Sequence, residues 1–322
     1  MSTEPLAREI SATPNHVKYS ICTLVTRREE YAEMTGSFVR QGFGRDDCEY
    51  LYIDNSQSNQ ADAFTGYNLM LAAARGQYII LCHQDILLDF DGRPVLEQRI
   101  AELDRRDPAW GLLGNAGGVA PGIIIYRLTD PDGNHDTGIF PGQVESLDEH
   151  FILVKKEANL CLSRDLHGFH FYGTDLCQIA RILGWNAWAV NFNLYHKSKG
   201  SFNESFYNMS CEVVRKYQRA LTGRVVQTTC LRMRLSPSPL RNWITVNKKR
   251  VLFDRIYDAR KNLRKYKKDR HPGAETPSWR TLGWGWYAFF WSVHRLQRPL
   301  QNLRRWFALR QWKNAHENRR SP

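Results

Sequence analysis

The residues with the clearest capacity for chemistry are His83, Gln84 and Asp85, which close the apolar run QYIILC. A carboxylate at the end of a buried strand is a hard ligand for Mg2+ or Mn2+, ions that bind through one or two carboxylates and a substrate's phosphates. An acid after a strand is also a common turn residue, so the triplet alone does not decide between the two roles. Asp54, with Asn55 beside it, ends a second apolar run, EYLYI. Such an acid accepts hydrogen bonds from a base or ribose hydroxyl, or it closes an Asx-turn. Asp175 opens a helical pattern after the aromatic segment GFHFYGT. There the preceding aromatics suit stacking on a sugar, or the acid simply answers the helix dipole. His196 stands in LYHKSKGS, where a histidine suits a metal and Lys197 and Lys199 suit phosphates.

These residues need elements that bring them to one edge. KYSICTLVT, EYLYI, QYIILC and FILVK read as strands; residues 31–41, 63–74, 94–105 and 176–183 read as helices. Phe64, Tyr67, Leu71 and Ala74 share one helical face, and Gly76 suits a C-cap. Residues 112–125 are glycine-rich strand, residues 129–142 (TDPDGNHDTGIFPG) are a loop, and residues 187–192 are a further strand. Strands alternating with helices favour a mostly parallel sheet covered on both faces, with ligands beyond the carboxyl ends of the strands. Asp54 and the His83–Asp85 segment both stand at such ends.

In this order the segments resemble the family 2 glycosyltransferases of the GT-A fold, over residues 19–205. ICTLVT is similar to the first strand of the family's nucleotide half. YLYIDNSQSNQADAFTGYNLMLAAARGQYIILCHQDI is similar to the stretch from the second-strand acid, through an Asn-containing helix, to the metal-binding triplet. GFHFYGTDLCQIARILGW resembles the acceptor-side segment that supplies the base, and NLYHKSKGS the closing histidine segment. The match is closest to a bacterial branch whose triplet is His-Gln-Asp in place of Asp-X-Asp. Two positions depart from the common pattern: His83 replaces the first acid of the triplet, and Gly173 stands where many relatives carry an acid.

The resemblance implies an α/β fold of GT-A (Rossmann-like) type, with a mostly parallel sheet flanked by helices. It implies inverting transfer of a sugar from a nucleotide-diphosphate donor to a glycan or lipid-linked acceptor, in bacterial surface polysaccharide synthesis. A divalent metal, Mn2+ or Mg2+, would sit at Asp85 and His196, and Asp175 would be the base. Thr23, Asp54, Asn55, Asn68, His83 and Gln84 would hold the nucleotide-sugar. Asp148, Phe171 and Tyr172 would face the acceptor, with Asp148 a secondary candidate for the base, and Lys197 and Lys199 would meet phosphates. The competing reading is a non-catalytic glycan- or membrane-binding protein on a decayed transferase fold. A nucleotidyltransferase is disfavoured, because CTLVTRREEY has none of the glycine such a phosphate loop needs.

Charge divides the 322 residues. Residues 1–220 carry 21 basic and 28 acidic side chains, whereas residues 221–322 carry 24 basic and 5 acidic. Every candidate for chemistry lies in the acidic part, so the overall net charge of +12 does not signal nucleic acid. The expected organisation is a polar leader at 1–17, a catalytic domain at 18–222 and a basic, Trp-rich helical extension at 223–322. In the extension, 255–270 is a cationic run and 296–312 mixes Trp, Phe and Leu with Arg, a composition that suits an anionic membrane surface. The longest apolar candidate, LGWGWYAFFWSV, is too short to span a bilayer. Seven cysteines without a CxxC pair, several in apolar runs, read as buried hydrophobes in a reducing compartment. The expected location is cytoplasmic, and the extension leaves two roles open: contact with the inner face of the cytoplasmic membrane, or a helical subdomain that packs its tryptophans on the catalytic body or on a second copy.

Overall fold

The computed structural model describes residues 16–120, 123–198, 204–227, 232–235, 243–246 and 249–252. The chain divides into two units, Met1–Thr222 and Gly223–Pro322. The first unit runs β1 (Tyr19–Val25), α1 (Arg28–Phe38), β2 (Cys48–Asp54), α2 (Ala63–Ala73), β3 (Tyr78–Cys82), β4 (Ile86–Leu87), α3 (Arg93–Arg106), β5 (Trp110–Gly114) and β6 (Ala116–Ala120). It continues with β7 (Ile123–Asp130), β8 (Gly133–Thr137), β9 (Gly142–Val144), β10 (Ser146–Leu147), β11 (Phe151–Lys155), α4 (Tyr172–Ile182), β12 (Asn186–Ala189), β13 (Tyr195–His196) and α5 (Glu204–Ala220).

A seven-stranded sheet of order β2-β1-β3-β11-β5-β12-β9 forms the centre. Its inner strands are apolar without alternation because both faces are covered. Successive residues feed two cores: Ile79, Leu81, Leu112 and Ile152 pack on one side, and Ile80, Cys82, Leu113 and Leu153 on the other. The mixed α/β architecture, with helices flanking a central sheet, is the one expected. β1 runs parallel to β2 and β3, and β5 to β12, whereas β11 runs antiparallel to both its neighbours. That reversal matters for function. It brings the start of β11 to the edge where β3 ends, with Phe151 opposite Cys82. A second sheet, β10-β6-β7-β13-β4, carries β8 on β7.

Three local expectations change. Residues 129–142 are no simple loop: β7 and β8 pair from Tyr126↔Thr137 to Asp130↔Gly133, turning at the tight Pro131–Asp132 step. Helix α4 begins at Tyr172 rather than 176, after Phe171 in a left-handed conformation (φ 62). Cys161 is exposed, although it lies between two leucines; Cys22, Cys82 and Cys177 are buried.

In the second unit the described residues form a four-stranded antiparallel sheet, β14 (Arg224–Gln227), β15 (Arg232–Leu235), β16 (Trp243–Val246) and β17 (Lys249–Leu252). This part is strand where a helical extension was expected; runs such as RVVQ and WITV are rich in β-branched residues that favour pleated structure. Residues 1–15 of the polar leader, the cationic run 255–270 and the Trp-rich run 296–312 lie outside the described residues. Among the described residues no helix is long and apolar enough to cross a membrane.

Candidate functional site

Three chain segments meet beyond the end of β3. The first is His83–Asp85 itself. The second is Asp148–His150, just before the antiparallel β11; the His83 amide donates to the His150 carbonyl at 3.1 Å. The third is β13, which pairs with β4 so that His196 lies opposite Ile86, while the Lys197 amide donates to the Asp85 carbonyl at 3.0 Å. Backbone pairing therefore fixes the spacing of the side chains before any side-chain bond is made.

His83, Asp85 and His196 offer ligand atoms that all lie within 4.8 Å of one another. His196 Nε2 is 3.4 Å and His83 Nδ1 3.9 Å from the same oxygen, Asp85 Oδ1. Burial works to raise the Asp85 pKa, but hydrogen bonding to His196 and the imidazoles' charge outweigh it and hold the carboxyl well below the usual range. Burial pushes the His83 imidazole down to about 4 against the pull of Asp85, with His196 and His150 adding to the shift. At neutral pH this gives an ionised carboxylate and an unprotonated His83, the states that bind a cation. The donor set fits a divalent metal, as expected for Asp85 and His196. His83, expected on the nucleotide-sugar, stands with Asp85 and His196 in the group that could hold a metal ion.

Around this cluster the residues are tightly tied. Tyr172, 1% exposed, donates its hydroxyl to the Glu149 carbonyl at 2.8 Å and lies 3.0 Å from His83 Nε2. It is thus a support for His83 and no open acceptor contact. His150 stacks on His196 at 5.2 Å between centroids. Its Nδ1 is 2.5 Å from Asp148 Oδ1, and its Nε2 is 2.7 Å from Asn115 Oδ1. Asn115 is oriented by its own donation to the Arg127 carbonyl at 2.8 Å. Asp148 itself has a side chain 59% exposed. Glu149 lies beside it, accepting the Phe171, Tyr172 and Gly173 amides at the start of α4. Burial, reinforced by Asp148, pushes its carboxyl up to about 8 against those amides. His150, Glu149 and Asn115 were not singled out from sequence. The acidic-basic triplet Asp148-Glu149-His150 directly before a strand was the available sign, but only the strand's direction shows which edge it reaches.

The structure corrects the expected base. Asp175 is 0% exposed. Its carboxylate accepts from the Ser163 amide (2.8 Å), the Ser163 hydroxyl (2.7 Å) and the Tyr217 hydroxyl (2.7 Å). It pins α4 to α5 and has no opening towards a substrate. Gly173 cannot carry an acid in this position, because a Cβ would stand 2.4 Å from the Leu147 carbonyl oxygen.

Four expected nucleotide contacts are also occupied by the protein. Thr23 is fully buried, its hydroxyl 3.3 Å from Cys82 Sγ. Gln84 accepts the Thr26 and Arg27 amides at 2.8 and 2.9 Å and donates to the Thr26 hydroxyl, clamping the turn after β1. Asn55 closes its own loop through Gln60 and Ala61. Asn68 exchanges two bonds with the Leu162 backbone. Asp54 stays at the carboxyl end of β2, paired with Arg28; the Ser56 hydroxyl and amide, with Arg28, bring its pKa down to about 2. Phe171 packs on Phe206 at 4.7 Å, and Lys197 pairs with Glu33. Lys199 lies outside the described residues.

No family model matches the chain. The ATP synthase subunits region ORF 6 protein of Fuscovulum blasticum is 35% identical over 226 residues, 67% of this chain and 90% of that protein. Among solved structures, the mannosyltransferase PcManGT from Pyrobaculum calidifontis, in complex with GDP-Man and Mn2+, is 12% identical with a TM-score of 0.43, covering 67% of this chain and 68% of that one. S. aureus TarS 1–349 with UDP-GlcNAc is 12% identical with a TM-score of 0.45, covering 62% and 66%. GalNAc-T7 with UDP, GalNAc and Mn2+ is 8% identical with a TM-score of 0.40, covering 56% and 44%.

Proposed function

The chain belongs to the family of the Fuscovulum blasticum ATP synthase subunits region ORF 6 protein, whose name states no chemistry, and we propose that it is an inverting glycosyltransferase of GT-A type. The observation that carries this reading is the convergence of His83, Asp85, His196 and an accessible Asp148 at the strand edge where β3 ends. Parallel β1, β2 and β3 place Asp54 on the same edge, at the end of β2.

In this reading the donor is a nucleotide-diphosphate sugar and the acceptor a glycan or lipid-linked hydroxyl of a bacterial surface polysaccharide. Asp54, with the backbone of the turn held by Gln84, receives the nucleoside. Lys197, anchored beside Asp85 through its amide, exchanges Glu33 for the diphosphate. His83, Asp85 and His196 would hold a divalent cation, which when bound would supply positive charge against the leaving diphosphate. Asp148 acts as the base: both of its bonds from His150 land on Oδ1 and leave Oδ2 outside them, and although burial works to raise its pKa, the His150 charge and those bonds hold the carboxyl well below the usual range and keep it ionised. The acceptor oxygen bonds to the anomeric carbon as the carbon–phosphate oxygen bond breaks on the opposite side. The hydroxyl proton passes to Asp148 Oδ2. His150, locked by Asn115, holds that carboxylate in place. The basic residues of 223–322 serve as an address, keeping the enzyme at the anionic inner face of the membrane.

The test is turnover of a panel of nucleotide-sugars by wild type and Asp148→Asn. A base worth about 10²- to 10⁴-fold predicts a loss in kcat of that order without loss of fold. Equal turnover by the variant removes Asp148 as base.

A further inference from the structure

The donor set at the end of β3 is mostly nitrogen. Two imidazoles and one carboxylate surround the common point, and that composition differs from an all-carboxylate site in which ions it holds. Mg2+ takes oxygen ligands and gives up water reluctantly. Imidazole suits later divalent ions, and affinity at such a site rises from Mn2+ through Fe2+ and Co2+ to Ni2+ and Cu2+.

A histidine contributes to such a site only if the correct nitrogen carries the lone pair. Here the protein sets it. The single Tyr172 hydroxyl hydrogen goes to the Glu149 carbonyl at 2.8 Å. Its oxygen, 3.0 Å from His83 Nε2, is therefore left to accept. His83 must then carry its hydrogen on Nε2 and present a bare Nδ1 towards Asp85. Tyr172 has no freedom to choose otherwise: it is 1% exposed, at the first turn of α4, with Tyr67 packed on its ring at 5.0 Å. The Glu149 carboxyl group accepts the amides of that same turn. His196 is buried, with Nε2 turned to Asp85.

We propose that the His83–Asp85–His196 site selects a transition-metal ion over Mg2+, and that Tyr172 is the positioning residue that sets this preference by fixing His83 with Nδ1 towards Asp85. The inference rests on reading the cluster as a metal site and deepens that reading by naming the ion class. It does not depend on the reaction being glycosyl transfer.

Calorimetric titration of the metal-free full-length protein with Mg2+, Mn2+, Co2+ and Zn2+ alone tests it, on wild type and Tyr172→Phe. Wild type is expected to bind Co2+ and Zn2+ at least a hundredfold more tightly than Mg2+. Loss of an outer hydrogen-bond partner costs about 10- to 100-fold in metal affinity, so Tyr172→Phe is expected to weaken Co2+ and Zn2+ by that factor and leave Mg2+ unchanged. A merely structural tyrosine would lower thermal stability and weaken every ion alike. If Tyr172→Phe does not fold, nitrogen-detected NMR of zinc-loaded wild type gives the same answer: His83 must be protonated at Nε2. Mg2+ binding as tight as Co2+, a Tyr172→Phe protein with unaltered selectivity, or His83 protonated at Nδ1 overturns the proposal. Selective metal binding without nucleotide binding or turnover would instead overturn the transferase reading and leave this one standing.

Discussion

At the scale of single residues, the exposed Asp148 and the fully buried Asp175 divide the carboxylates into one open to solvent and one that holds the fold. Asp175→Asn removes a charged acceptor from Ser163 and Tyr217 and turns an amide hydrogen towards their donors. It is expected to cost about 2 kcal/mol in a denaturant titration, as for hydrogen bonds to charged groups, with turnover per folded molecule retained. A near-complete loss of kcat at unchanged stability would return Asp175 to the base position. The His83–Asp85–His196 group was partly legible in sequence: the strand-end argument puts the acid after QYIILC at this edge, and the family resemblance adds the late histidine. The occupied states of Thr23, Asn55, Asn68 and Gln84 were not. Residue type states what a side chain can bond; Gln84, for instance, spends its carbonyl on two amides of the preceding turn, and nothing in its own segment says so.

At the scale of elements, strand direction was the decisive unknown. FILVK reads equally well in either sense. Only pairing with β3 shows that Asp148 and His150 arrive where His83 departs. Helix α4 shows the same limit, since its start is set by Glu149, 23 positions before Tyr172, and by close approach to Leu147. Gly173→Ala drives a Cβ into that backbone and is expected to destabilise by about 2 kcal/mol, the usual cost of overpacking. A thermal transition equal to wild type would show that α4 is seated less tightly than described. On the opposite flank, the Arg93 guanidinium at the start of α3 is 4% exposed and holds Asp47 through two bonds of 2.8 and 2.5 Å. The Arg93 hydrogen bonds lower Asp47 to about 2, from an ordinary 3.8. This pair stabilises fully above the unfolded carboxyl's pKa, and the contribution fades as pH falls from about 4 towards 2. Asp47→Asn leaves the buried guanidinium without that charge. It is expected to cost about 3 kcal/mol at pH 7 and to flatten the acid limb of a stability profile. An unchanged acid limb would assign the linkage to other groups.

At the scale of the whole molecule, chemistry and net charge occupy different parts of the chain. Every site residue lies before 200, in a part with more acids than bases, while the excess of Lys and Arg follows residue 220. An acidic body attracts a nucleotide diphosphate only where cations are placed; in the proposed reading a metal ion held by His83, Asp85 and His196 would supply that charge, with Lys197 beside it. The membrane address predicts that the full-length protein floats with anionic vesicles at low salt and is released at high salt, because each Lys or Arg contributes about 1 kcal/mol near such a surface. Equal flotation with neutral vesicles would contradict it. The central claim, a nucleotide site completed by a metal at Asp85, has a more direct test. Thermal stability is measured with a panel of nucleoside diphosphates, with and without Mn2+, on wild type and Asp85→Asn. The account predicts that at least one nucleoside diphosphate raises the Tm of wild type, more strongly with Mn2+, and that the metal-dependent part vanishes in Asp85→Asn. No shift with any nucleotide, or an equal metal-dependent shift in the variant, would contradict it.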